Sequence, residues 1–187
     1  MCKEKEIVKI PQAVINTMSD LEKIIYGISP CSSIKEACKE INTNKNAKNL
    51  IVYRGDNRKY EDLKDDGFAP RYQLPREKIL NLIAILISNI KFRADFHQWL
   101  KYPCCRNIND LWHPFVSTGT LDSHLGTYDY TINLRDVYVY DFGSGVNKMQ
   151  IVFKGERLED SSIIGILIDH QEIVFCTNIP KMYINAK

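Results

Sequence analysis

The fold prediction rests on residues 50–71, LIVYRGDNRKYEDLKDDGFAPR. The apolar, β-branched run at 50–53 predicts a strand, and the strand ends at Arg54 and Gly55. An arginine there places a fixed cation at the rim of a sheet, where its planar guanidinium suits phosphate oxygens. A surface ion pair between Arg54 and Asp56 is the structural alternative. The Gly-Phe pair at 67–68 indicates a turn into a packed aromatic ring.

Composition limits the class of protein. The chain has 187 residues, with 25 Lys and Arg against 23 Asp and Glu, a formal net charge of +2. This length suits one domain, and 44% apolar residues exclude a largely disordered chain. The near-neutral charge argues against general binding of nucleic acid. The N-terminus has no apolar core of a secretory signal, so we predict no signal peptide in this chain.

The helices are predicted mainly from apolar spacing. Residues 12–27 carry apolar side chains at helical spacing, and a glycine follows as a stop signal. The pattern Ser33 to Glu36 is a capping box and predicts a second helix to about residue 41. Residues 42–49 are polar and read as a connection. We therefore expect a helical N-terminal extension over 1–49, packed on a main domain over 50–187.

The main domain is predicted to mix helices and short strands. The longest apolar stretch, at 79–90, is shorter than the roughly 20 residues of a membrane span, so it predicts a buried helix over 76–91 and no membrane span. A shorter helix is expected at 94–101. Strands are expected at 115–118 and 137–140, with one or two more within 163–175. The fold class is α+β.

The cysteines give no metal motif. The six are separated by spacings that contain no CxxC pair, so no metal site is predicted. Free thiols, or one long-range disulfide such as a bond to Cys176, are both compatible with the spacing. The six cysteines are Cys2, Cys31, Cys38, Cys104, Cys105 and Cys176.

Two later segments add polar groups at strand ends. FVSTGT, at 115–120, is a short strand that ends in the hydroxyls of Ser117 and Thr118. DHQEIVF, at 169–175, places Glu172 at the mouth of an apolar strand. A carboxylate near a strand arginine can bind a sugar hydroxyl and stabilise positive charge. Taken alone, each segment is also typical of an ordinary strand with a turn.

In this order, the segments VYRGDNRKYEDLKDDGFAPR, FVSTGT and DHQEIVFCTNIPKMYI resemble the mono-ADP-ribosyltransferases of the cholera-toxin and pertussis-toxin class. That family has an aromatic-Arg strand followed by Asp-x-Arg, then a Ser-Thr-Ser strand, then x-x-Glu before a strand and Ile-Pro. The resemblance covers about residues 50–184. It implies the ADP-ribosyltransferase fold, a split and strongly bent β-sandwich that binds NAD in the cleft between its halves.

The resemblance also implies roles for individual residues. Arg54 would contact the phosphate or ribose of NAD, and Ser117 would hold Glu172 in position. Glu172 would bind the nicotinamide ribose and stabilise the oxocarbenium-like charge that develops as nicotinamide leaves. Other NAD contacts implied by the motifs are Tyr53, Gly55, Asp56, Arg58, His97 and Thr118.

Two histidines are candidates for one position of the family pattern. The family carries a histidine between the arginine and the Ser-Thr strand, and ADFHQWLK resembles that segment, which makes His97 the candidate. His113 lies four residues before Ser117 and is the competitor. A structural role for His97, packed beside Trp99, is the alternative.

Two positions depart from the family pattern. The residue two before the catalytic glutamate is usually Glu or Gln and helps to choose the acceptor, but here it is His170. His170 is therefore a candidate for acceptor specificity, and an acceptor other than arginine is implied. The third position of the hydroxyl strand is Gly119, so one hydrogen-bonding side chain is missing.

The function implied is transfer of ADP-ribose from NAD to a host protein by a bacterial toxin subunit or injected effector. Such a virulence protein would be secreted or injected into the host cytosol, and a binding or translocation subunit or a host activator could accompany it. Three alternatives differ in outcome. An NAD glycohydrolase would use water as acceptor, a degenerate member would only bind, and a nucleic-acid-modifying relative is disfavoured by the charge.

Overall fold

The structure is a computed structural model that describes residues 8–29, 33–122, 126–145, 148–169 and 171–187. Its N-terminal part is helical. Two short helices precede a longer one, and all three place apolar side chains against the same core. These helices are α1 (Gln12–Ile15), α2 (Asp20–Ile25) and α3 (Ile34–Asn44).

The predicted single helix over 12–27 was wrong, because the chain breaks between α1 and α2. Ser19 begins α2 with a capping box: its hydroxyl accepts a hydrogen bond from the Glu22 amide, and the Glu22 carboxylate accepts one from the Ser19 amide. This reciprocal pair gives the Ser19 and Glu22 amides their acceptors at the start of α2. In a continuous helix these amides would instead donate to carbonyl oxygens of the preceding turn. Apolar spacing alone does not distinguish the two arrangements.

The predicted capping box at Ser33 was also wrong. The Ser33 side chain makes no capping hydrogen bond, yet α3 extends to Asn44. The first strand, β1 (Asn46–Asp56), then begins at once, so residues 42–49 are not a polar connection. The division into an extension over 1–49 and a domain over 50–187 stays a prediction.

Two consecutive helices cover the apolar stretch and its continuation. Helix α4 (Arg76–Ser88) buries its middle, from Ile79 to Leu86, on all sides. Asn89 then caps α5 (Ile90–Lys101) by accepting a hydrogen bond from the Phe92 amide at 3.0 Å. Helix α5 therefore begins four residues before the predicted start at 94.

The remaining strands form one sheet with β1, in the order β1-β2-β6-β5-β4-β3-β7. Because β1 also pairs with β3, six strands close into a ring, and β7 lies outside on β3. The prediction of an α+β class is confirmed. Strands β4 and β7 were not predicted from the sequence. The strands are β2 (Val116–Gly119), β3 (Tyr128–Phe142), β4 (Met149–Lys154), β5 (Ile163–Leu167), β6 (Glu172–Phe175) and β7 (Ile184–Ala186).

Helices and strands share the apolar interior. One cluster joins the helices to the sheet and includes Trp99 and Phe153, while a second gathers strand residues around Phe68 and Tyr130. No helix among the described residues is long and apolar enough to cross a membrane.

The Gly-Phe pair meets the Ile-Pro segment near the other end of the chain. Phe68 and Ile179 exchange two backbone hydrogen bonds, at 3.1 and 2.8 Å. Gly67 has a φ of +65°, and a Cβ there would lie 2.0 Å from the Ile179 carbonyl oxygen. Only glycine fits this close approach. The contact fixes Phe68, which lies beneath the end of β1.

A buried carboxylate fastens the helical part to the domain. Glu22 is fully buried, and its Oε1 accepts hydrogen bonds from the Trp99 indole (3.0 Å) and from the amides of Asn107 (2.8 Å) and Ile108 (3.0 Å). Burial alone would raise the pKa of Glu22, but these donors and the Ser19 amide outweigh it and lower the pKa. The ionised form is therefore the one that the fold stabilises.

Replacing Glu22 with alanine should lower the free energy of unfolding by about 2–4 kcal/mol, because three buried donors lose their acceptor. Urea unfolding at neutral pH measures this. Glu77→Ala, on the exposed face of α4, is the matched control and should change the value by less than about 0.5 kcal/mol. An equal loss in both variants would contradict the anchoring role.

The same carboxylate predicts a pH dependence. The pKa of Glu22 is lower in the folded than in the unfolded chain, so its stabilisation is complete above the ordinary value of 4.5 and is lost as pH falls through the folded pKa. The advantage of the wild type over Glu22→Gln should therefore shrink below pH 4.5. An advantage that stays constant with pH would contradict the assignment.

Candidate active site

Three neighbouring strands bring the predicted site residues together. Strand β2 pairs with β1 through Tyr53 and Gly119, and with β6 through Gly119 and Glu172. Arg54, Ser117 and Glu172 therefore lie on adjacent strands although 118 positions separate the first from the last. The sheet, rather than local sequence, makes them neighbours.

Ser117 contacts both of the other two residues. Its hydroxyl donates to Oε1 of Glu172 at 3.1 Å, and its carbonyl oxygen accepts from Nη1 of Arg54 at 2.6 Å. Side chains alternate along β2, so Val116 and Thr118 are buried while Ser117 is exposed. The Thr118 hydroxyl donates to the Ile173 carbonyl at 2.9 Å, which ties β2 to β6.

Glu172 is a half-buried carboxylate whose pKa is governed mainly by burial. Burial is the largest influence and raises its pKa; the hydrogen bond from Ser117 lowers it, the neighbouring Asp169 raises it, and Arg106 and His97 lower it. The pKa of Glu172 is raised overall. A carboxyl group in this state is typical of functional sites, where it interacts with a ligand rather than with the fold.

Arg54 contacts an aromatic ring and a carboxylate. Its guanidinium lies 5.0 Å from the centre of the Phe68 ring, and Nη2 lies 3.3 Å from Oδ2 of Asp56. Burial lowers the pKa of Arg54 and the charge of Asp56 opposes it, but a guanidinium remains protonated. Its buried Nε has no hydrogen-bond partner among the described residues.

Asp56 is occupied by arginines. Its Oδ1 accepts from Nε of Arg58 at 2.8 Å, and its Oδ2 accepts from Nη2 of the same residue at 3.1 Å. Burial would raise the pKa of Asp56, but these bonds and the two positive charges lower it. The structure therefore places Asp56 as a brace between Arg54 and Arg58.

The two histidine candidates have different surroundings. His97 lines the same cleft as Glu172, and its Nε2 lies 3.5 Å from Oδ2 of Asp169. His113 stacks on Trp99 with ring centres 6.0 Å apart, and burial lowers its pKa to about 4. The histidine packed on Trp99 is thus His113.

A cleft runs along the strand ends in two adjoining halves. The glutamate half, about 440 Å³, is lined by Glu172, His97, Tyr53, Asp169 and their neighbours. The arginine half, about 660 Å³, is lined by Arg58, Arg71, Arg106 and their neighbours. The two halves share Arg54, Gly55 and Ser117.

The other predicted positions are placed as follows. Tyr53, Gly55 and Thr118 line the glutamate half. At Gly119 a Cβ would meet only ordinary contacts, the nearest at 3.6 Å, so the fold does not require glycine there. His170 lies outside the described residues.

Sequence reasoning missed Arg71, Arg106 and Asp169. Arg106 is held by carbonyl oxygens at the end of α5, at 2.9 Å from Trp99 and 2.6 Å from Leu100, and no sequence motif marks that contact. Asp169 stood inside a quoted segment, and its position three residues before Glu172 was the available signal.

The comparisons add no relative. No protein-family model matches the sequence, and a search of curated proteins gives no match.

Within the described parts of the chain, no group of three or more histidines, cysteines or carboxylates could hold a metal ion. The described cysteines, Cys38, Cys104, Cys105 and Cys176, are free, and the pair at 104–105 is exposed.

Removing the Ser117 hydroxyl should raise the pKa of Glu172 further, because the lost hydrogen bond favours the charged carboxylate. Carboxyl carbon NMR titration of wild type and Ser117→Ala measures the difference. Ser162→Ala removes a more distant exposed hydroxyl and should leave the pKa in place. A value in Ser117→Ala equal to or below that of the wild type would contradict the contact.

Proposed function

We propose that this protein is an NAD-dependent mono-ADP-ribosyltransferase. The observation that carries the proposal is the Ser117 contact pair: its hydroxyl reaches Glu172 at 3.1 Å, and its carbonyl holds Arg54 at 2.6 Å in the same cleft. These are the three residues for which the family resemblance implies a role. The proposal thus joins a sequence pattern to an independent geometric fact.

The cleft residues suit a nicotinamide dinucleotide. Arg54 presents a cation with a buried, unpartnered Nε, and a planar guanidinium suits phosphate oxygens. Glu172 offers a carboxylate for a ribose hydroxyl, with Tyr53, Gly55, Thr118 and His97 around it. We propose that these residues hold NAD, and that Asp56 acts by bracing Arg54.

The chemistry needs a negative group where positive charge develops. As the bond between ribose and nicotinamide lengthens, positive charge grows on the ribose, and Glu172 would stabilise it. Ser117 would keep the carboxylate oriented and ionised through its hydrogen bond. The raised pKa of Glu172 is consistent with a carboxylate that gains from a cation nearby.

The finer fold assignment is part of the proposal. The ring of strands has its thinnest connection at the cleft, where β1 and β2 pair through one residue from each strand. A sheet that is nearly open at this seam is what a split, bent β-sandwich requires. We propose that the ring is that sandwich, with the cleft between its halves.

The biological setting follows only by resemblance. We propose a host protein as target, with delivery by secretion or injection, and an acceptor side chain other than arginine. A toxin or effector of this kind could work with a binding subunit or a host activator.

Glu172→Gln should lower transfer about a hundredfold or more, because one preorganised charge is lost at the transition state. The measurement uses labelled NAD, a eukaryotic cell lysate and both proteins, with labelled protein and free nicotinamide quantified. Glu156→Gln, an exposed glutamate, is the control and should label normally. Normal labelling by Glu172→Gln would contradict the role of the glutamate.

The same assay separates the alternative activities. Nicotinamide release without any labelled protein would favour an NAD glycohydrolase. Neither product, from folded wild-type protein with lysate present, would contradict the proposed enzyme and favour a binding module.

Arg54→Lys should weaken NAD binding by about tenfold, because the planar fork is replaced by a point charge. Calorimetric titration of NAD against Glu172→Gln and against the double variant with Arg54→Lys measures affinity without turnover. Arg76→Lys, at the exposed first residue of α4, is the control. Equal affinity in the Arg54 and Arg76 variants would contradict the assignment.

A further inference from the structure

The arginine half of the cleft carries an excess of positive charge. Among the described residues, four arginines line it, Arg54, Arg58, Arg71 and Arg106, against two aspartates, Asp56 and Asp110. His113 adds no charge at neutral pH, because burial lowers its pKa to about 4. The excess of two charges equals the formal net charge of the whole chain, +2. The near-neutral composition therefore conceals a local basic surface.

These arginines differ in how far their own contacts occupy them. Arg58 faces Asp56, and Arg106 donates to two carbonyls and lies 3.7 Å from Oδ1 of Asp110. Arg71 is exposed, and its contact is a long one, 3.4 Å from Nη1 to the Asp110 carbonyl oxygen. Arg71 is thus the guanidinium with most capacity left for a ligand.

One carboxylate of the protein itself is already bound by arginines in this half of the cleft. Both oxygens of Asp56 are bound by the fork of Arg58, and one also faces Arg54. Such two-point bonds between guanidinium and carboxylate are specific in geometry. The loop that carries Arg71 is hydrogen-bonded to another segment that lines this half of the cleft. The Tyr72 amide donates to the His113 carbonyl at 3.1 Å.

A transferase must also hold its acceptor beside the reacting bond. The arginine half adjoins the half that contains Glu172, since Arg54 and Ser117 line both. Arg106, Asp110 and His113 come from residues 102–114, which lie outside the three segments that resemble the family. Leu111, 67% exposed, directly follows Asp110 and offers an apolar contact to a polypeptide.

We propose that the arginine half binds an acidic segment of the acceptor protein, with Arg71 as a specificity-determining contact. This inference rests on the proposed function for its meaning, but the binding itself does not depend on catalysis. Aspartate or glutamate side chains near the modified residue would pair with Arg71. The acceptor class is thus a protein with acidic residues flanking its modified position.

The direct test is binding of a fluorescent decaglutamate peptide, followed by anisotropy. Arg71→Glu should weaken binding about tenfold or more, because an attractive charge becomes a repulsive one. Arg76→Glu makes the same charge change at the exposed first residue of α4 and should bind as the wild type does. Equal binding by the two variants, or no binding by the wild type, would overturn the proposal.

The lysate assay supplies the second readout. Each transfer releases one nicotinamide, so turnover of NAD is measured separately without lysate, where water accepts the ADP-ribose. In Arg71→Glu the label transferred in the lysate should fall about tenfold, while nicotinamide release without lysate keeps the wild-type rate. A parallel fall of both would overturn the proposal and assign these arginines to NAD. If the wild type releases no nicotinamide, the proposed function fails while the peptide experiment still decides this inference.

Discussion

The site depends on strand β2, four residues long, which pairs with β1 on one side and with β6 on the other. Its Ser117 uses the backbone toward Arg54 and the side chain toward Glu172. Backbone pairing between β1 and β2 involves one residue from each strand, so the bond from Arg54 to the Ser117 carbonyl helps to join the cation to the strand that contacts the carboxylate. Since such a site must hold its groups within fractions of an ångström, a short central strand is an effective support.

A second constraint supports the wall of the cleft. Glu22 gathers the Trp99 indole and the amides of residues 107 and 108 around one oxygen. Trp99 in turn packs against Arg106, 5.1 Å from the ring centre, and against His113. The helical N-terminal part therefore helps to place the arginine half of the cleft. Its folding and the acceptor contact proposed here are physically linked.

The sequence predicted what local pattern determines and missed what tertiary contacts determine. Apolar runs that end in polar residues revealed β1, β2 and β6, because each of these strands buries at least one apolar side chain beside the cleft: Val52 in β1, Val116 in β2 and residues 173–175 in β6. Strand β7 was missed because its three residues include only one that is well buried, Ile184. The break before α2 was missed because Met18 and Leu21 keep helical spacing while Ser19 caps. Arg106 was missed because distant carbonyls fix its position.

Three buried or half-buried carboxylates show what separates structure from function in this molecule. Glu22 and Asp56 are saturated by N–H donors and guanidinium groups, and both have lowered pKa values. Glu172 receives a side-chain hydrogen bond from Ser117, and burial raises its pKa. A carboxylate that already has hydrogen-bond donors and guanidinium groups around it gains little stabilisation from a new positive charge. A carboxylate that burial has deprived of water gains much more. Among the three, Glu172 is therefore the carboxylate that would gain most from a nearby positive charge, which is the role proposed for it.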